Sequence, residues 1–126
     1  LSVSRMIIGT NWLLGYSHQS VAKDDFIQAT STVKHMADVI EVFLKAGIDT
    51  LIGPMSIRKG GVHKRLMKAI EQAQDRTGRK VIIIATPGLF LEGTAKAEDD
   101  NKRILDDMAG IGAAAERGMP QVVVEV

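Results

Sequence analysis

The sequence predicts an α/β fold on a parallel sheet, with the strand and helix order of half of an eight-stranded (βα) barrel. Three apolar runs, at residues 6–8, 48–52 and 81–84, each lead into Gly, Thr or Pro and then into a stretch of helical periodicity. A fourth apolar run, at residues 122–126, ends the chain. No β-hairpin signal separates these runs, which predicts right-handed parallel crossovers.

The first unit has a long connection between its strand and its helix. Residues 10–25 are rich in Gly, Ser, Asn and aromatic side chains, and a helix is predicted over residues 25–46. Apolar residues recur at helical spacing on its inner face: Val33, Ala37, Ile40 and Leu44. Charged residues repeat one position later, at Lys34, Asp38, Glu41 and Lys45, so the helix is amphipathic. Gly47 is expected to end it.

The second unit follows at once. Strand two is predicted over residues 48–53 and ends at Gly53 and Pro54. The next helix is expected to bury Leu66, Ile70 and Ala73, to expose Lys64, Lys68, Glu71 and Asp75, and to end at Thr77 and Gly78. Strand three, over residues 80–86, is continuously apolar, which is typical of a strand covered on both faces in a parallel sheet.

The third helix is predicted to start with N-cap chemistry and to end at Gly118 before strand four. Its expected N-terminal residues are Asp99, Asp100 and Asn101, and its expected apolar residues are Ile104, Leu105, Met108 and Ile111. The six methionines fall on helix and strand faces and are predicted to fill the core.

Two folds can hold this order: a half-barrel of about four strands and three helices, and a flavodoxin-like doubly wound sheet. No Gly-x-Gly-x-x-Gly follows strand one, and the first connection is too long for a tight phosphate turn. The sequence therefore favours the half-barrel, as a single domain spanning residues 1–126. No linker divides it.

Composition excludes several classes of function. The chain is 45% hydrophobic and 25% charged with a net charge of +1, which argues against disorder and against nucleic acid as a partner. It has no cysteine, which excludes disulfides and thiolate chemistry and permits a cytoplasmic, reducing compartment. No apolar run approaches the ~20 residues that span a bilayer, so no membrane partner is predicted.

A half-barrel leaves two apolar sheet edges, which predicts self-association as a homodimer or higher oligomer. Both ends of the chain look like cuts through a larger pattern. Leu1 rather than Met precedes the first strand, and Val126 lies inside a β-forming run.

Three stretches carry a family resemblance: IIGTNWLLGYSH at residues 7–18, DRTGRK at residues 75–80 and ATPG at residues 85–88. They resemble the N-terminal half of an uncharacterised group of prokaryotic TIM-barrel proteins, over residues 4–112. The resemblance implies the barrel fold and no particular activity. Residues 113–126 depart from the continuation that it implies.

Barrel folds place their sites at the carboxyl ends of the strands, so the loops after the strands are the candidates. The first loop combines Asn11 and Trp12 with Tyr16 and His18, an imidazole that can carry a proton near neutral pH. It is predicted to contact a small molecule or act as a lid. Alternatively, its apolar residues plug the barrel mouth or pack against a second subunit.

A second candidate is the basic stretch at residues 58–65. Arg58 and Lys59 precede Gly60 and Gly61, a pattern that can bind a phosphate or carboxylate. The spacing is not that of a P-loop, and a solvated loop gives the same composition.

Two further positions complete the rim. Thr86 begins an apolar stretch, residues 86–93, that is typical of a pocket lining or an interface. Glu125 would be desolvated if it pointed into a barrel, which makes it a candidate catalytic acid or base together with His18. In another register it would face helices or solvent. His18, His35 and His63 are too far apart in sequence to predict a metal site, and no motif identifies a cofactor.

Three functions follow from these observations. The chain is a half-barrel that self-associates, an enzyme with a composite rim site for an anionic or phosphorylated small molecule, or a barrel fragment without activity of its own. The fold does not decide among them.

Overall fold

The computed structural model describes residues 2–54, 62–86, 98–99, 101–106 and 121–124. Its strands are β1 (Ile7–Gly9), β2 (Thr50–Gly53), β3 (Ile82–Ala85) and β4 (Gln121–Val124). Its helices are α1 (Asn11–Leu14), α2 (Val21–Thr30), α3 (Val33–Lys45) and α4 (Val62–Thr77), and we call helical residues 98–99 and 101–106 α5. Within these residues no helix is long and apolar enough to cross a bilayer.

The strands form a small sheet in which every described pairing is parallel. β2 lies between β1 and β3, and β4 pairs with the other edge of β3. The register places Ile8 beside Leu51 and Leu51 beside Ile83. The predicted α/β fold with a parallel sheet is therefore confirmed.

The strands β2 and β3 begin two residues later than predicted. The backbone N–H of Ile48 donates to Phe43 O (2.9 Å), so residue 48 still belongs to the turn that ends α3. The N–H of Val81 donates to the buried Gln74 Oε1 (2.8 Å) of α4. The N–H of Ile48 satisfies a carbonyl at the end of α3 and that of Val81 satisfies a side chain of α4, so neither is available to the sheet ladder.

The main core lies between the sheet and the pair α3 and α4. Leu51 and Ile83 are fully buried on this face of the sheet. Fully buried side chains from the two helices cover them: Met36, Ala37, Ile40, Leu44, Leu66, Ala69, Ile70 and Ala73. The predicted inner faces of both helices are thus confirmed, with Val33 half-buried at the margin. Truncating one of the large residues to Ala is expected to cost about 2–5 kcal/mol.

The opposite face of the sheet is mainly apolar and unevenly covered, since Thr50 and Ile82 are buried on it. Ile7 is 43% exposed, and Ile52 and Ile84 are half-buried. Met6, just before β1, is 63% exposed, so the prediction that all methionines fill the core is wrong for this residue. Met36 is fully buried, as predicted.

The single helix predicted over residues 25–46 is wrong, because the segment forms α2 and α3. Ser31 leaves the helical conformation, and the Thr32 side chain caps α3 by accepting from the His35 N–H (3.1 Å). Thr30 Oγ1 donates back to Phe26 O (2.8 Å). Three consecutive hydroxyl residues therefore end one helix and start the next, which the apolar periodicity does not reveal.

The predicted connection after strand one contains a short helix and is well packed. Leu13 and Leu14 of α1 are buried, and Gly15 ends the helix with φ +78°. Arg65 of α4 donates from Nη2 to Gln28 O (2.8 Å), which ties α2 to the second unit. The first connection is therefore part of the fold.

The helix layer is joined by surface ion pairs. Arg76 of α4 lies 2.8 Å from an Asp38 oxygen and 3.3 Å from a Glu41 oxygen of α3. Asp38 and Glu41 belong to the charged outer face that was expected of α3. Their exposed positions make them minor contributors to stability.

The predictions for the C-terminal part of the chain are partly corrected, and several fall on residues outside the described ranges. Asp99 and Asn101 lie within α5 and do not precede it, since residue 98 is already helical. Leu105 is 47% exposed and Ile104 is half-buried. The predicted sites at residues 58–61, residues 87–93 and Glu125 lie outside the described residues, as do Asp100, Met108, Ile111 and Gly118.

Gly15 and Gly47 provide a matched test of how tightly α1 packs on α2. Both have positive φ, +78° and +81°, but a Cβ at Gly15 would lie 2.9 Å from Asp24 O and would overlap Gln28 Cγ, whereas a Cβ at Gly47 meets nothing within 4 Å. We expect Gly15→Ala to lower the free energy of unfolding by about 2–3 kcal/mol and Gly47→Ala by about 1 kcal/mol, measured by urea denaturation. Equal losses would contradict the close packing of α1 against α2.

Candidate functional site

A cleft of about 450 Å³ lies at the carboxyl ends of β1, β2 and β3. Its volume is within the range of about 300–1,000 Å³ that is typical of small-molecule sites. The described residues that line it are Gly9, Asn11, Trp12, His18, Ile52, Gly53, Pro54 and Thr86.

The strand ends meet here because the sheet ladder continues one residue past β1 and past β3. The N–H of Thr10 donates to Ile52 O (3.0 Å), and the N–H of Thr86 donates to Gly53 O (3.1 Å). Gly53 is needed for this approach, because a Cβ at residue 53 would overlap Thr10 Oγ1. The cleft is therefore built on backbone that is fixed by the sheet.

Asn11 and His18 form the polar side of the cleft. Asn11 Nδ2 lies 3.0 Å from His18 Nε2. When the amide donates, the imidazole accepts at Nε2 and is neutral, with its proton on Nδ1. A protonated imidazole would need the amide to turn and accept with Oδ1. The pair can therefore offer a ligand either a donor or an acceptor.

His18 has a left-handed backbone conformation, with φ +58°. The preceding residue is held firmly, since Asp24 Oδ1 accepts from the Ser17 N–H (2.7 Å) and from Ser17 Oγ (2.5 Å). Two residues later, Ser20 caps α2 by accepting from the Lys23 N–H (3.2 Å). Uncommon backbone conformations are concentrated at functional sites, and this one is fixed on both sides.

The carboxylate of Asp24 is the electrostatic anchor of this turn. Hydrogen bonds from the Ser17 side chain, and then from its backbone, lower the pKa of Asp24 from 3.8, against an opposing effect of burial. The charge of His18 lowers that pKa further. Asp24 is thus held in the ionised form that accepts both hydrogen bonds.

Trp12 forms the aromatic wall of the cleft. It is 52% exposed, while the next two residues of α1 point into the core. Lys23 Nζ lies 5.6 Å from the centroid of the Trp12 ring, a cation–π distance. Among the described lining residues there is no carboxylate.

Tyr16 and His63 connect the first loop to the start of α4. Tyr16 Oη lies 3.4 Å from Nε2 of His63, and the two rings are 6.4 Å apart at a tilt of 53°. His63 is only 4% exposed, so it belongs to the interior rather than to a solvated basic loop. Tyr16 is 37% exposed.

The structure brings together three of the predicted site residues, Asn11, His18 and Thr86, at one cleft. The predicted ligand residues Arg58, Lys59, Gly60 and Gly61, and the predicted catalytic Glu125, lie outside the described residues. In the part of the chain that is described, no three His, Asp or Glu side chains are placed to hold a metal ion.

Sequence reasoning missed five contributors to the site: Gly9, Ile52, Gly53 and Pro54 in the lining, and Asp24 behind it. The Gly-Pro pair was interpreted only as the end of a strand. Asp24, seven residues after Ser17, has no sequence signal that distinguishes it from the neighbouring Asp25.

No protein-family model, curated protein or solved structure matches this chain.

Asp24 provides a test of how the His18 turn is held. Asp24→Asn keeps the side-chain shape and removes the charge. Because the folded-state pKa is below 3.8, the carboxylate stabilises the fold above about pH 4, and this contribution is lost as pH falls through the lowered pKa. We expect the variant to melt below the wild type near neutral pH and the difference to shrink on acidification.

The matched control is Asp25→Asn, an exposed position one residue along α2. The melting temperatures of the wild type, Asp24→Asn and Asp25→Asn are measured over a pH series. If Asp24→Asn and Asp25→Asn follow the same curve, the Ser17–Asp24 contact does not hold the turn.

Proposed function

We propose that this chain is a βα half-barrel whose cleft at the carboxyl ends of the strands binds a small organic molecule. The observation that carries the proposal is the meeting of Asn11, His18 and Thr86 at one cleft of about 450 Å³. Barrel folds place their ligand sites at this end of the sheet.

Two features of the fold support a half-barrel. The order β1-β2-β3-β4 advances by one strand at a time, as around a barrel, whereas a flavodoxin-like sheet would place β1 between β2 and β3. The face of the sheet away from α3 and α4 is apolar and partly open, at Ile7, Ile52 and Ile84. In a closed barrel, this face is the packed interior.

The chemistry of the cleft suits recognition by hydrogen bonds on one side and apolar contact on the other. Asn11, His18 and Thr86 supply polar groups, and Ile52, Pro54 and Trp12 supply apolar surface. An anionic group on the ligand stays a prediction from the basic stretch at residues 58–65. Proton transfer by His18 or Glu125 stays a prediction as well.

The test is a thermal-shift panel of three phosphorylated compounds and their phosphate-free partners: phenyl phosphate, glucose 6-phosphate, glycerol 3-phosphate, phenol, glucose and glycerol. We expect at least one compound to raise Tm. His18→Ala should weaken its binding about fivefold to tenfold, the effect of one lost hydrogen bond.

The control is His35→Ala, which removes an exposed imidazole from α3 that is not among the residues lining the cleft. It should leave binding unchanged. No shift with any compound, or equal losses in the two variants, would contradict a ligand site at the cleft and favour a barrel fragment without activity of its own.

A second candidate function is self-association, with another copy of the chain as partner. Among the described strands, the outer edge of β1 has no neighbour, and apolar side chains beside it are open: Val3 is 45%, Met6 63% and Ile7 43% exposed. Pairing of β1 with β4 of a second copy would cover this edge and close the sheet.

Ile7→Lys tests this interface. If the wild type is a homodimer or higher oligomer, the added charge should lower its mass by size exclusion with light scattering across a dilution series. Val42→Lys is the matched control, because Val42 is 66% exposed and lies opposite the buried face of α3. A wild type that stays monomeric, or an Ile7→Lys protein with unchanged mass, would contradict self-association through β1.

Two further statements stay predictions from the sequence. They are the relation to uncharacterised TIM-barrel proteins and the cytoplasmic location that the lack of cysteine permits.

A further inference from the structure

We propose that Trp12 is a stacking platform, and that the cleft therefore selects a ring-shaped ligand with polar groups on the edge of its ring. This inference rests on the proposed function, because it needs the cleft to be a ligand site. It goes further by naming the shape of the ligand and the side chain that recognises it.

The position of Trp12 is fixed by its neighbours in α1. Leu13 and Leu14 are 8% and 0% exposed, so they anchor the helix in the core and turn Trp12 outward. The backbone of α1 is hydrogen-bonded at both ends of the helix. The N–H of Leu14 donates to Thr10 O (3.0 Å), and the N–H of Tyr16 donates to Asn11 O (2.8 Å). A ligand would therefore meet an indole whose backbone is already ordered.

The Trp12 indole lies beside the Lys23 ammonium group and is still accessible to solvent. Lys23 Nζ lies 5.6 Å from the centroid of the Trp12 ring, yet Trp12 remains 52% exposed and lines the cleft. An aromatic side chain that contributes little to the core and faces a cleft is a surface available for stacking.

The rest of the cleft complements a ring. Ile52 and Pro54 are further apolar lining residues, and Asn11, His18 and Thr86 provide the hydrogen-bonding groups. A ring presents an apolar face to the indole and polar substituents along its edge. An open-chain polyol has no such face, so it gains the hydrogen bonds without the stacking. Sugar rings and aromatic rings both present an apolar face with polar groups along the edge, and the experiment below distinguishes between them.

Trp12 is the only tryptophan in the chain, so fluorescence excited selectively at tryptophan reports on this cleft alone. The wild type is titrated with the six compounds of the panel, and affinities for Trp12→Ala and Trp12→Phe are measured by calorimetry. The panel varies the scaffold and the phosphate independently. Phenol and phenyl phosphate represent aromatic rings, glucose and glucose 6-phosphate represent sugar rings, and glycerol and glycerol 3-phosphate are open chains.

We expect at least one ring scaffold to change the fluorescence and to bind about tenfold more tightly than the open chain with the same charge. Trp12→Ala should remove that advantage, and Trp12→Phe should keep most of it, since Phe retains an aromatic face. Because Trp12 is exposed, both variants are expected to melt near the wild-type temperature.

Glycerol 3-phosphate binding as tightly as the ring phosphates would overturn the inference. So would a ring compound whose affinity falls in His18→Ala and is unchanged in Trp12→Ala, although the proposed ligand site would then stand. Binding of no compound would overturn both.

Discussion

The parallel register of β1, β2 and β3 is the constraint on which the rest of the structure depends. It places Ile8, Leu51 and Ile83 level on the face that α3 and α4 cover. The same register ends the strands together, so that the residues that follow them meet at the cleft. A slip of one residue would turn the buried side chains to the opposite face and separate the loops. The same strand register therefore produces both the core and the candidate site.

A second set of contacts holds the first loop against this frame. Leu13 and Leu14 anchor α1, and the carboxylate of Asp24 binds both the backbone and the side chain of Ser17. Together they keep His18 in a left-handed conformation within hydrogen-bonding distance of Asn11. A polar group that is ordered before the ligand arrives loses less entropy on binding, which favours a recognition role for this loop.

The sequence was most informative where one periodic pattern decides a structure. The inner faces of α3 and α4 and the parallel pairing of the strands were predicted because burial imposes a repeat on the residues. The break at Ser31 and Thr32 was missed because local side-chain hydrogen bonds, rather than apolar spacing, decide it. The Asp24 anchor and the close approach of Gly53 to Thr10 depend on contacts between segments, and those leave no local signal. Asn11, His18 and Thr86 were predicted as rim residues, but only the register shows that they share one cleft.

The central claim is that the carboxyl ends of the strands form a ligand site. The most direct test is amide chemical-shift mapping by NMR while a library of small fragments is added to the isotopically labelled protein. The account predicts that fragment hits shift the amides of Gly9, Asn11, Gly53 and Thr86 together, with little change along the outer faces of α3 and α4. Hits that shift the helix amides and leave these four unchanged would contradict it.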